Sequence, residues 1–111
     1  MIKEFGGSYL SPAYVEVELS EPASGKGVPV GALVKRTASG FEFITSDAPS
    51  PISVGGIVVS TINRGGGVYS CTILVVGVWN GVAYEWDTTS GDWRTTTRHK
   101  TGVLQTPVYI V

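Results

Sequence analysis

Tyr69-Ser70-Cys71-Thr72-Ile73-Leu74-Val75-Val76 is the stretch that decides the fold class. Tyr69, Cys71, Ile73 and Val75 recur at every second position, which sets them on one face of a strand. Leu74 and Val76 make the second half apolar on the other face too. A strand apolar on both faces is central in its sheet or faces another subunit.

Working outward, the same period recurs. Val15, Val17 and Leu19 alternate with Glu16 and Glu18, as in a strand with one buried face. Val30 to Lys35 follows Pro29, Phe41 to Thr45 follows Ser39-Gly40, and the gap between them reads as a hairpin. Ile57 to Ile62 follows Gly55-Gly56. Asn80-Gly81, between Val78-Trp79 and Val82-Ala83, predicts a two-residue hairpin, because both positions tolerate positive φ. Trp86 to Trp93 holds a turn at Ser90-Gly91-Asp92. Val108-Tyr109-Ile110-Val111 is an apolar strand that should sit in a sheet or against a partner.

Glu21 to Val28 reads as a flexible loop. Asp47 to Ser53 reads as another, since Pro49 and Pro51 bar a central strand. Arg64 to Gly67, with three consecutive glycines, is a turn or a mobile loop. No stretch carries a 3.6-residue period, and the spread of glycine, proline and β-branched residues disfavours helix. The expectation is one mainly β domain, a small β-barrel with little or no helix. Residues 1–20 form an extended N-terminal arm and residues 21–111 the β domain. Phe5, Tyr9, Leu10 and Tyr14 are the arm's apolar anchors, continued by Val15, Val17 and Leu19.

Composition narrows the function classes. Of 111 residues, 42% are hydrophobic and only 15% charged, against about 25% charged in ordinary soluble domains. A surface so poor in charge fits a chain that hides part of itself in an assembly, or a hydroxyl-rich β domain. Net charge is −1, whereas nucleic-acid binders carry a basic patch. The one basic run, Arg94, Arg98, His99 and Lys100, is broken by threonines and reads as a solvated face. Direct nucleic-acid binding is therefore not expected. The apolar run Ile73 to Trp79 is far short of the ~20 residues of a membrane-spanning helix. No charged-then-apolar leader opens the sequence, so synthesis and retention in a cytoplasm are expected.

No residue constellation points to catalysis or to a cofactor. The one cysteine, Cys71, lies in an apolar run and reads as a small core residue. His99, between Arg98 and Lys100, lacks a nucleophile beside it. Glu85, Asp87 and Asp92 lack the spacing of a calcium loop and read as polar hairpin ends. Neither Gly25-Lys26-Gly27 nor Gly65-Gly66-Gly67 has phosphate-loop spacing. The chain should bind rather than react, with no catalytic residue, metal or cofactor. Trp79, Trp86 and Trp93 are candidate interface aromatics, able to anchor a protein contact or stack on sugars; packing of the core is the other reading.

From Gly27 onward the order of features resembles the head-decoration proteins of lambda-like tailed phages. Val28-Pro29-Val30-Gly31-Ala32-Leu33-Val34-Lys35 looks like that family's opening strand after its arm. Ile52-Ser53-Val54-Gly55-Gly56-Ile57-Val58-Val59 resembles its spacer leading into a Gly-Ile/Leu strand. Thr106-Pro107-Val108-Tyr109-Ile110-Val111 resembles its apolar terminal strand. The chain departs from the family in its short arm, which carries Glu16 and Glu18. It departs again where the family has a short helical piece near a Trp, since Gly77 to Asp92 reads as hairpin.

The resemblance implies a β-tulip-like fold and a homotrimer docked at three-fold and quasi-three-fold sites of the expanded head. Its partner would be the major capsid protein. Its place would be the outer surface of the virion, after assembly in the host cytoplasm. The arm would join capsid strands by β-addition. Two other readings are a virion-surface carbohydrate- or receptor-binding module using the tryptophans, and a head or tail adaptor.

Overall fold

A computed structural model of the chain describes residues 11–49, 52–98, 104–105 and 108–111. The protein is mainly β, and the described residues contain no α-helix. Among the described residues ten strands follow one another: β1 Ala13–Ser20, β2 Leu33–Thr37, β3 Gly40–Phe43, β4 Ile52–Ser53, β5 Gly56–Gly65, β6 Val68–Trp79, β7 Tyr84–Asp87, β8 Asp92–Thr95, β9 Leu104–Gln105 and β10 Val108–Ile110.

The principal sheet has the order β1-β6-β5-β2-β3, all antiparallel, and β10 adds to β6 in parallel. β6, which contains the stretch quoted above, is its longest strand and is central. The edge strands β1 and β3 approach each other without pairing, so the sheet curls into an open barrel. One cluster fills the concave side: Val34, Val58, Cys71 and Ile73, with Val15, Val17, Leu19, Phe41 and Phe43 packed against it. On the other side of the same sheet, Leu33, Ile57 and Leu74 pack with Ile44, Ile52, Ala83, Val108 and Ile110. Leu74 is thus apolar because a second layer covers it. Burial of each such side chain contributes about 1.5–3 kcal/mol.

The β5–β6 hairpin closes at Gly65↔Val68 through Gly66 and Gly67. Both have positive φ (64° and 80°), the conformation that tight hairpin turns demand. The Arg64 to Gly67 segment is therefore a tight turn rather than a loose loop. The β7–β8 hairpin turns as expected, with the Gly91 N–H donating to the Asp87 carbonyl at 2.9 Å.

Two expectations fail. Asn80-Gly81 makes no hairpin, and Val82-Ala83 does not return along β6. Instead β10 pairs with Gly77, Val78 and Trp79, and the chain from Asn80 crosses to the second layer. There Tyr84 bridges to Ala32 and Trp86 to Thr45. A local turn preference of a kilocalorie or so yields to the burial of Ala83, Val108 and Ile110. The second correction is small. The Asp47 to Ser53 loop contains β4, which pairs in parallel with β9, half the chain away.

Candidate interaction surface

Several chemistry-bearing side chains of the described residues are engaged in holding the fold. Cys71 is buried, and burial pushes its thiol up to about 11. Glu85, read from sequence as a polar hairpin end, is instead only 1% exposed. Its Oε2 accepts from Arg94 (Nε 2.9 Å, Nη2 2.7 Å) and its Oε1 from Arg98 (Nε 3.0 Å, Nη2 3.0 Å). Arg94 and Arg98 were the heart of the basic run; both are turned to this internal carboxylate. His99 and Lys100 lie outside the described residues. Asp92 pairs with Lys26 at 3.4 Å. The described residues contain no cluster of three metal-ligating side chains.

Asp87 organises the β7–β8 turn. The backbone N–H of Thr89 donates to it at 3.0 Å, and the hydroxyls of Ser46 and Ser90 at 3.2 and 3.1 Å. The Thr89 N–H foremost holds the Asp87 carboxyl below its ordinary value; desolvation, next in size, opposes it, and the Ser90 and Ser46 hydroxyls and the nearby Arg94 charge add to the lowering. A folded-state pKa that is depressed stabilises the fold above the unfolded value, and this is lost as pH falls through the folded value. Stability against urea should therefore fall with acidification from about pH 4 downward. The Asp87→Asn variant should show a flatter decline over that window; identical slopes in the two proteins would remove Asp87 from the acid sensitivity.

The tryptophans do not form an exposed platform. Trp86 is buried, and Trp79 and Trp93 are half-buried. Trp93 meets Phe43 and Trp86 edge-to-face, with centroids 5.0 and 5.3 Å apart. Its Nε1 donates to the Gly27 carbonyl at 3.0 Å, and the Nε1 of Trp79 to the Val82 carbonyl at 3.2 Å. These rings join loops to the barrel. One depression among the described residues is lined by Lys35, Arg36, Phe43, Pro49 and Val54. Its cations are already occupied: Lys35 pairs with Glu42 at 3.7 Å, and Arg36 lies over the Phe41 ring.

Two exposed features stand out among the described residues. The first is β1, the end strand of the sheet. Val15, Val17 and Leu19 face the concave core, while Tyr14, Glu16 and Glu18 face out. Residues 13–20 of the expected arm are therefore a strand of the chain's own sheet, in register with β6 from Ala13↔Val76 to Ser20↔Val68. Phe5, Tyr9 and Leu10 lie outside the described residues.

The second feature escaped the sequence reading. Val76, Val78, Tyr109 and Val111 are 38%, 52%, 69% and 55% exposed. Tyr109 stands in register with Val78. The cause is a shift in the β1–β6 pairing between Ala13 and Tyr14. Leu74 and Trp79 pack in the same cluster although five positions apart, which unbroken alternation forbids. The shift turns Trp79 inward, so Val76 and Val78 turn out to the opposite face. On β10, Val108 and Ile110 are buried and Tyr109 is left outward beside Val78. Compared with protein-family models, with curated proteins and with solved structures, the chain matches none of them.

Proposed function

We propose that the chain is a bacteriophage capsid decoration protein. In this reading it binds the major capsid protein as a homotrimer at three-fold and quasi-three-fold sites of the expanded head and stabilises the head against internal DNA pressure. The supporting observation is the position of β1. It is an amphipathic strand at the end of the sheet, preceded in sequence by a glycine-bearing segment with apolar anchors. Such a segment suits strand addition to a neighbouring sheet, where backbone hydrogen bonds give affinity and alternate side chains give specificity. The surface poor in charge and the resemblance of Val28–Lys35, Ile52–Val59 and Thr106–Val111 to the decoration family support the same reading. Three arms on one trimer would multiply a modest contact through effective concentration.

The test is docking on expanded heads that lack the protein. Deleting Met1–Ser11 spares every residue of β1, so the circular dichroism and unfolding midpoint should be unchanged. Sedimentation with heads should fall to background. Full docking by the truncated protein would sink the arm mechanism, and failure of the intact protein to bind heads would sink the decoration reading itself.

A further inference from the structure

We propose that Asn80-Gly81 is a site of spontaneous covalent modification, at which the Asn80 side-chain amide becomes a carboxylate. The reaction needs only water and stands whether or not the chain decorates capsids. The backbone nitrogen of Gly81 gives up its proton and attacks Cγ of Asn80. A C–N bond forms, the Cγ–Nδ2 bond breaks, and ammonia leaves. Water then adds to one carbonyl of the resulting cyclic imide and opens the ring. Opening at Cγ leaves aspartate. Opening at the backbone carbonyl leaves isoaspartate, whose main chain runs through the side-chain carbon. In sum, an amide and water become an acid and ammonia.

The fold leaves this pair open to the reaction. Asn80 and Gly81 lie between β6 and β7, outside any strand, and both are exposed. The hairpin expected from sequence would have held the peptide in a ladder; its absence frees it. Among the described residues the Gly81 N–H donates to no acceptor and the Asn80 side chain has no hydrogen-bond partner. No bond must break before the nitrogen turns toward Cγ, and no Cβ shields it. Packing keeps the glycine in place. Its φ lies outside the left-handed region, but a Cβ would sit 2.9 Å from Cζ2 of Trp79 and 3.0 Å from Cε2. The other asparagine, Asn63, differs on each count. It lies in β5, Arg64 follows it, and its Oδ1 already accepts from the Gly65 N–H at 2.8 Å.

The product would be felt locally. It adds a negative charge in sequence between Val78 and Val82, each 52% exposed. Isoaspartate also lengthens a crossing that is pinned on both sides. Nε1 of Trp79 donates to the Val82 carbonyl at 3.2 Å, and the Val111 N–H to the Trp79 carbonyl at 2.9 Å.

The test incubates the full-length folded protein in warm, mildly alkaline buffer and follows a tryptic digest by mass spectrometry. Asn63 and Asn80 fall in different peptides, Thr37–Arg64 and Gly65–Arg94. The second should gain the mass difference between amide and acid and split into two chromatographic forms, while the first stays unchanged. Mildly acidic buffer should slow the change. The folded protein should react at a rate within about tenfold of the guanidinium-unfolded chain, a barrier difference under ~1.4 kcal/mol. Asn80→Gln, which keeps Gly81 under the Trp79 ring, should show no gain in that peptide. Amide exchange at Val111 should be faster in the aged wild type than in the aged variant. An unchanged Asn80 peptide, equal reaction at Asn63, or a folded rate far below a tenth of the unfolded one would overturn the proposal. Equal exchange at Val111 would overturn the effect on β10.

Discussion

Replacing Glu85 by alanine is expected to cost the fold about 3–5 kcal/mol, the loss seen when one partner of a buried ion pair is removed. Against a typical total of roughly 5–15 kcal/mol, this is a large fraction of the stability. The reason is the number of elements that meet on one carboxylate. Glu85 lies on β7, Arg94 opposite it on β8, and Arg98 beyond the hairpin. Arg98 also donates to the carbonyls of Thr45 and Ala48, at 3.1 and 3.4 Å. Removing the carboxylate takes from Arg98 the charged acceptor that its Nε and Nη2 both reach at 3.0 Å, in a partly buried position. Arg94→Ala should be milder, because Arg94 is half exposed and Arg98 still neutralises Glu85. Urea unfolding at pH 7 with an unchanged slope measures both. A Glu85→Ala midpoint within about 1 kcal/mol of wild type, or a larger loss for Arg94→Ala, would show that the carboxylate is not the centre of the network.

This network explains why part of the structure was legible in the sequence and part was not. Alternation is a local signal, and it placed β1, β5, β6 and β10 correctly, because each buries at least one face for most of its length. The turn at Ser90-Gly91-Asp92 was legible for the same reason: Gly91 adopts φ 67° and the hairpin closes around it. Once that hairpin is drawn, Glu85 and Arg94 fall opposite each other, so their pairing was within reach of the sequence. The burial of Glu85 was not, since it depends on Arg98 and on the loop at Thr45 and Ala48 coming from outside the hairpin. Asn80-Gly81 failed for a related reason. A good local turn competes with a long-range layer, and the layer buries Ala83, Val108 and Ile110. The exposed patch followed from a one-residue register shift, and nothing in the alternation of Leu74, Val76 and Val78 foretells which face each will take. The arm residues Phe5, Tyr9 and Leu10 were legible only as apolar anchors in a segment with no strand period.

Gly31→Ala is expected to be the second large loss, about 2–5 kcal/mol, the sum of two separate penalties. Gly31 adopts φ 104°, a conformation that costs an L-residue roughly 1–2 kcal/mol. A Cβ there would also run into the Val82 carbonyl oxygen and sit 3.2 Å from the Tyr84 ring. Forcing extra volume into such a contact costs about 1–3 kcal/mol. The crowding arises because Gly31 is where the two layers are fastened. Its N–H donates to the Val58 carbonyl at 2.7 Å in the barrel, and its carbonyl accepts from the Tyr84 N–H at 2.9 Å in the second layer. Pushing Val82 away would also stretch the bond from Trp79 Nε1 to the Val82 carbonyl, so the damage should reach the end of β6. Gly25→Ala separates the two penalties. Gly25 has φ 79° with nothing within 4 Å of its missing Cβ, so it should lose only the conformational part, about 1 kcal/mol. Urea unfolding of both variants reads the difference. Equal losses would mean that the second layer moves freely on the barrel. A larger loss at Gly31, with faster amide exchange at Tyr84, would show the layers to be rigidly joined, which keeps β10 and its outward Tyr109 fixed beside Val78.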